Sequence, residues 1–212
     1  GNGAFSDCQK RTKIFIPSDV TSIGERSFNG CHLLETIQFN ESLEEISLPN
    51  SLNSIGKSSF YNCSSLKEIE LPKKLTLIED NLFYHCKSLQ KVIINEKVNK
   101  IGNNSFAHCE SLTEIKIPQY VTSFGKASFL GCNSLEEKKF PQRVSSIGSF
   151  YFKDCVKITE IEIPNTISTI PKCSFNSCKL LKNIKIQSSA KKIKKGAFTN
   201  CTSIKSLDLR YV

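Results

Sequence analysis

Apolar residues recur in this chain in fixed columns that return every 23 residues. The clearest column pair is Phe followed three residues later by Cys. It occurs nine times: Phe5/Cys8, Phe28/Cys31, Phe60/Cys63, Phe83/Cys86, Phe106/Cys109, Phe129/Cys132, Phe152/Cys155, Phe175/Cys178 and Phe198/Cys201. Leu or Ile stands three residues after Cys, as in Leu34, Leu66, Leu112, Ile158 and Ile204. Alternating apolar pairs stand six and eight residues after it, as in Ile69/Leu71, Ile115/Ile117, Ile161/Ile163 and Ile184/Ile186. Pro often follows (Pro17, Pro72, Pro118, Pro141, Pro164), and Ile-Gly comes later in the unit (Ile23-Gly24, Ile55-Gly56, Ile101-Gly102, Ile147-Gly148).

The alternation predicts a short strand with its first and third side chains inward. Pro ends it, having no N–H for a continuing ladder. Gly after the second Ile is read as permitting a turn, and Ser-Phe-x-x-Cys closes the coil on its far side. A lone coil cannot bury this many apolar columns, whereas stacked coils can, each residue resting on its counterpart. The expectation is one right-handed solenoid over residues 1–212, about nine coils long, with a parallel sheet on one face. At ~4.8 Å per strand its length is on the order of 40–45 Å.

The unit C-x-x-L-x-x-I-x-I-P-x-x-V-x-x-I-G-x-x-[SA]-F-x-x-C resembles the BspA-type, or Treponema-type, leucine-rich repeat over nearly the whole chain. The resemblance implies an α/β-type repeat solenoid, a leucine-rich-repeat horseshoe with a parallel concave sheet and an irregular or 3₁₀ convex side. It also implies a surface-exposed or secreted protein, since members in bacteria and protists adhere to host extracellular matrix or to other cells. The expected function is therefore non-enzymatic recognition of a protein ligand. An intracellular, cytoplasmic protein–protein scaffold of the same fold is the alternative.

Departures from the unit show what is individual here. Cys31 and Cys63 are 32 residues apart, nine more than the period, and the extra residues duplicate the strand motif within 32–49. Lys138 occupies an otherwise aliphatic column, where an unpaired buried ammonium is costly, so it is expected to reach outward or distort its strand. Arg11 fills the Leu column of the first coil. Neither end carries a polar cap, which points to a chain that continues beyond this piece.

The ten cysteines change meaning once the period is seen. Nine form one inward column, expected to be buried free thiols packed beside Phe, and Cys173 alone stands outside it as the expected exposed thiol. No Cys-x-x-Cys pair supports zinc. His85 and His108 precede ladder cysteines in adjacent coils, but Gly30, Asn62, Gly131 and Asn200 fill the same column elsewhere. That column therefore reads as a turn position tolerant of unusual dihedrals, and no metal or cofactor is expected. Gly56-Lys57-Ser58 lacks the upstream Gly of a phosphate loop, since Ser51 stands there. Asn40, Asn62, Asn103 and Asn200 begin N-x-[ST] sequons, of which Asn40 is the best placed. No apolar run is long enough to span a bilayer.

Function is thereby left to the surface. Outward strand positions form two stripes: Glu68, Lys91, Glu114, Glu137, Glu160, and Glu70, Ile93, Lys116, Lys139, Glu162. With Phe15 they make the candidate partner-binding face, Phe15 and Ile93 serving as apolar anchors. On the return side Tyr61 and Tyr84 hold matching positions of neighbouring coils, with Leu130 two coils beyond Tyr84. The formal charge of +9 is local. Ile163 to Leu207 contains no Asp or Glu but nine lysines, and the remainder balances at 20 basic and 20 acidic residues. Lys182, Lys185, Lys191, Lys192, Lys194 and Lys195 form a candidate patch for a sulfated glycan or other polyanion. Nucleic acid is disfavoured, because no stacking aromatics interleave these lysines.

Overall fold

The computed structural model describes residues 1–17, 19–38, 51–136, 140–187 and 190–205. The described strands of neighbouring coils pair in parallel, with partners 23 residues apart. Lys13–Phe15 pairs with Thr36–Gln38, Glu68–Glu70 with Lys91–Ile93 and then Glu114–Ile115, and Glu160–Ile163 with Asn183–Ile186. Ile14, Ile37, Ile69, Val92, Ile115 and Ile161 point inward and are buried. Neighbouring charged residues stay in water, as the alternation predicts. The nine-residue insertion beyond Gln38, Lys138, Asn40 and the last strand motif lie outside the described residues.

The structure adds a second ladder that the one-sheet expectation lacks. The segment before the repeat's Gly also pairs in parallel: Ser22–Ile23 with Ser54–Ile55, and Leu77–Ile78 with Lys100–Ile101 and Ser123–Phe124. Thr169–Ile170 pairs likewise with Lys192–Ile193. Only one side chain per segment turns inward, but the backbone groups still need partners, and the next coil supplies them. The repeat's Gly also has a different role from the one expected. Its φ is not positive; instead, a Cβ on Gly125 or Gly148 would lie 2.4–2.5 Å from the backbone of the preceding coil. Gly here allows close stacking of chain on chain.

The return side holds no helix among the described residues, so of the irregular or 3₁₀ forms expected for the convex face it takes the irregular one. Two residues per coil are in the left-handed region, and they break any helical run into separate turns. One is the column before Cys, with φ of 60° at His85 and 62° at His108, as the sequence predicts. The other lies two residues before Phe, with φ of 53° at Arg26, 56° at Asn81 and 54° at Cys173. This geometry points alternate N–H groups at the next coil. For example, Asn81, Phe83 and His85 donate to the carbonyls of Asn103, Ser105 and Ala107 at 2.8 Å each.

Inside these turns the Phe column forms a continuous ring stack. Successive centroids from Phe5 to Phe129 are 5.2–5.6 Å apart and nearly parallel. The Phe129–Phe152 and Phe152–Phe175 pairs tilt to 40° and 47°. Tyr151, buried in a column otherwise rich in Ser, wedges among Phe124, Phe129, Phe140 and Phe152 there. Each ladder cysteine from Cys31 to Cys201 donates its S–H to the Phe carbonyl of the preceding coil at 2.9–3.1 Å. Cys is therefore a small apolar residue that also satisfies a buried acceptor.

Candidate recognition surface

The first ladder presents most of the predicted stripe to solvent. Glu68, Lys91 and Glu114 stack in register and are exposed, giving an acid–base–acid row. Opposite-sign neighbours across a sheet favour this register. Ile93 lies opposite Glu70 and is 45% exposed, although it is a large aliphatic residue. Lys116 continues this side. Phe15 is 60% exposed but belongs to the separate Lys13–Phe15/Thr36–Gln38 pair, so no strand pairing among the described residues joins the two anchors. Glu160 and Glu162 are exposed on the last described pair of this ladder. Glu162 accepts from Lys185 Nζ and from Gln187 Nε2, both at 2.9 Å. Glu137 and Lys139 lie outside the described residues.

A recess beside this stripe escaped the sequence reading. About 400 Å³ in volume, it is lined by Lys116, Ile117, Gln119, Phe140, Pro141, Gln142 and Arg143. The Arg143 guanidinium lies 4.9 Å from the centre of the Tyr120 ring, 23 residues earlier. The available signal was Phe140 in an Ile column, one period after Ile117.

The lysine patch is divided by the fold. Lys182 stands next to the first ladder and Lys185 within it, where Lys185 is engaged with Glu162. Lys191, Lys192, Lys194 and Lys195 surround the second ladder. All four are exposed and have no carboxylate partner among the described residues.

The interior offers structure in place of reactivity. All ten cysteines are free, and seven are fully buried. Burial pushes the Cys31 thiol up to about 12, and desolvation also raises Cys86, Cys109 and Cys155. A thiol that resists ionisation is a poor nucleophile and a poor metal ligand. Cys173 is half-buried, as are Cys8 and Cys201, and its sulfur lies 3.9 Å from the Lys195 carbonyl. His85 and His108 stack at 4.5 Å. Burial, then the neighbouring His108 and Lys87, lowers the His85 pKa. The described residues contain no cluster of three or more metal-ligating side chains around this pair or elsewhere.

Short parallel strands, one Phe per turn and an S–H-capped return side define a leucine-rich-repeat solenoid. The chain belongs to the family of the BspA type leucine rich repeat region, which it matches in six copies over residues 1–47, 39–148 and 99–211. It is similar to the crystal structure of a leucine-rich repeat protein from Bacteroides ovatus. That comparison gives 27% identity and a TM-score of 0.70, and covers 99% of this chain and 63% of that one. The chain thus spans under two thirds of that relative's length. The leucine-rich repeat protein of T. pallidum shares the fold, with 21% identity, a TM-score of 0.68, and coverage of 92% and 85%. A leucine rich cell surface protein from Faecalibacterium prausnitzii follows it with 22% identity, a TM-score of 0.50, and coverage of 96% and 74%. No curated protein is similar to the chain in sequence. No helix among the described residues is long and apolar enough to cross a membrane.

Proposed function

We propose that this chain is a non-enzymatic recognition module, displayed at a cell surface or secreted, that binds a protein ligand on its first strand ladder. The observation that carries the reading is the exposure of Ile93, at 45%, beside the ordered Glu68–Lys91–Glu114 row. An aliphatic anchor rimmed by alternating charges is the composition of a protein-binding patch. The recess at Lys116 and Arg143 extends that patch by one coil. Membership of the repeat family and the similarity to a cell surface protein support the location. The test is a binding screen against extracellular-matrix proteins, with Ile93→Ser/Lys91→Glu as control. The reading predicts a ligand that is lost in the double variant while the melting temperature is kept. A screen hit that binds both proteins equally would contradict it.

A second reading rests on Lys191, Lys192, Lys194 and Lys195 of the second ladder, which have no carboxylate partner among the described residues. They would hold a sulfated glycan by charge, and that contact weakens with salt. Retention on heparin should drop when Lys191, Lys192, Lys194 and Lys195 become Gln. Unchanged retention would rule it out.

A further inference from the structure

A groove of about 380 Å³ runs along the return side, on the opposite flank of the coils from the strand stripe. One wall is the column of left-handed residues Arg26, Ser58, Asn81 and Asn104; the other is Asn29, Tyr61 and Tyr84. Four successive coils build it, so at ~4.8 Å per coil it is roughly 15 Å long.

Tyr61 and Tyr84 stack at 4.9 Å and 12°, close to the coil spacing, so their ring normals run along the groove. Tyr84 is backed by His85 at 4.5 Å and His108 at 5.7 Å, which leaves the pair anchored at that end. Phe28 donates its N–H to the Ser59 carbonyl and Gly30 to the Tyr61 carbonyl, each at 2.9 Å, which places Asn29 one rung beyond Tyr61. The outer face of the Tyr61 ring thus looks at a rung carrying only the short Asn29 amide, with the exposed Arg26 guanidinium at its border.

The polar heads are left open. The one side-chain hydrogen bond among them runs from Asn104 Nδ2 to Asn81 Oδ1 at 3.1 Å. Among the described residues, the guanidinium, the Asn29 amide, the Ser58 hydroxyl and both phenols have no side-chain hydrogen-bond partner. Amides that both donate and accept, a flat aromatic platform and one cation suit a pyranose bearing hydroxyls and a carboxylate. A peptide would instead want an open strand edge or apolar pockets, and this groove has neither.

We propose that this groove binds a short acidic glycan segment, with one pyranose ring lying on the outer face of Tyr61 and its carboxylate paired to Arg26. The site is separate from the strand-face recognition proposed above and does not depend on it.

The test is calorimetric titration of the intact chain with hyaluronan tetrasaccharide, which carries carboxylates, and with chitotetraose, which carries none. The acidic sugar should bind in the sub-millimolar range and the neutral one more weakly. Arg26→Gln should weaken the acidic sugar roughly tenfold and leave chitotetraose unchanged, because it removes only the charge-assisted pair. Tyr61→Ala should weaken both, whereas Tyr61→Phe, which preserves the ring stack, should hold affinity within about threefold. Absence of hyaluronan binding at millimolar sugar would overturn the proposal. So would binding that survives Tyr61→Ala and Arg26→Gln but disappears when the four second-ladder lysines become Gln. Tighter binding of chitotetraose than of hyaluronan would overturn the carboxylate assignment.

Discussion

The strand face and the return side belong to the same coils, yet they treat irregularity differently. Across the long Cys31–Cys63 interval the return side is unchanged, with Phe28 and Phe60 stacking at 5.6 Å and 3°. Thr36–Gln38 is still in 23-residue register with Lys13–Phe15, whereas Ser54–Ile55 pairs with Ser22–Ile23 at a separation of 32. The separation between partners therefore changes from 23 to 32 between Gln38 and Ser54. The side carrying the Phe stack, the S–H bonds and three backbone bonds per step holds the register; the outward strand positions are free to carry Glu, Lys, Ile or Phe. That division lets a repeat fold keep its core while its surface becomes specific.

Alkali should break the return side first and most strongly. A buried thiol whose folded pKa is raised, like Cys31 from 9.0 to about 12, stabilises the fold fully below the unfolded value. That stability is lost as pH rises through the folded value. Above pH 9 each such thiol weighs against folding by up to about 1.4 kcal/mol per pH unit. With seven buried thiols, urea midpoints should fall steeply between pH 8 and pH 10, and Cys109→Ala/Cys132→Ala should flatten the fall. A midpoint flat with pH would contradict this. Next comes Phe106→Ala, at a fully buried ring stacked on both neighbours, which should cost about 3–5 kcal/mol in urea unfolding. Gly125→Ala places a methyl against backbone that cannot step aside; about 1–3 kcal/mol is expected by the same measurement. Cys109→Ala at pH 7 removes one S–H···O bond and should cost about 1 kcal/mol. Glu114→Gln on the strand face should shift stability by under about 0.5 kcal/mol.

The columns carrying one residue type were legible in the sequence, namely the Phe and Cys ladders and the inward Ile pairs, and so was the left-handed position before Cys, where Gly and Asn recur. The second left-handed column was not, because Gly3, Arg26, Ser58, Asn81, Ala127, Phe150 and Cys173 share no side-chain chemistry; the neighbouring coil imposes their backbone shape. The second ladder was equally hidden. With one inward Ile per segment it shows no alternation, and its pairing is a property of backbone alone. The stripe of Glu68, Lys91 and Glu114 was readable from spacing. The recess at Arg143 and the groove at Tyr61 depend on which side chains meet across coils, and a period gives that only where both members stand out. Tyr61 and Tyr84 stood out as aromatics; the amides opposite them did not.

The division of labour is tested most directly by one urea-denaturation comparison at pH 7. In the first protein Glu68, Lys91, Ile93, Glu114, Lys116 and Glu160 are all replaced by Thr; in the second, Phe106 alone becomes Ala. The six-fold strand-face variant should unfold within about 1 kcal/mol of the parent, because Thr suits an exposed strand. The single return-side variant should lose several times that. A six-fold variant that loses as much stability as Phe106→Ala would show that the strand face, too, holds the register, and would contradict the account.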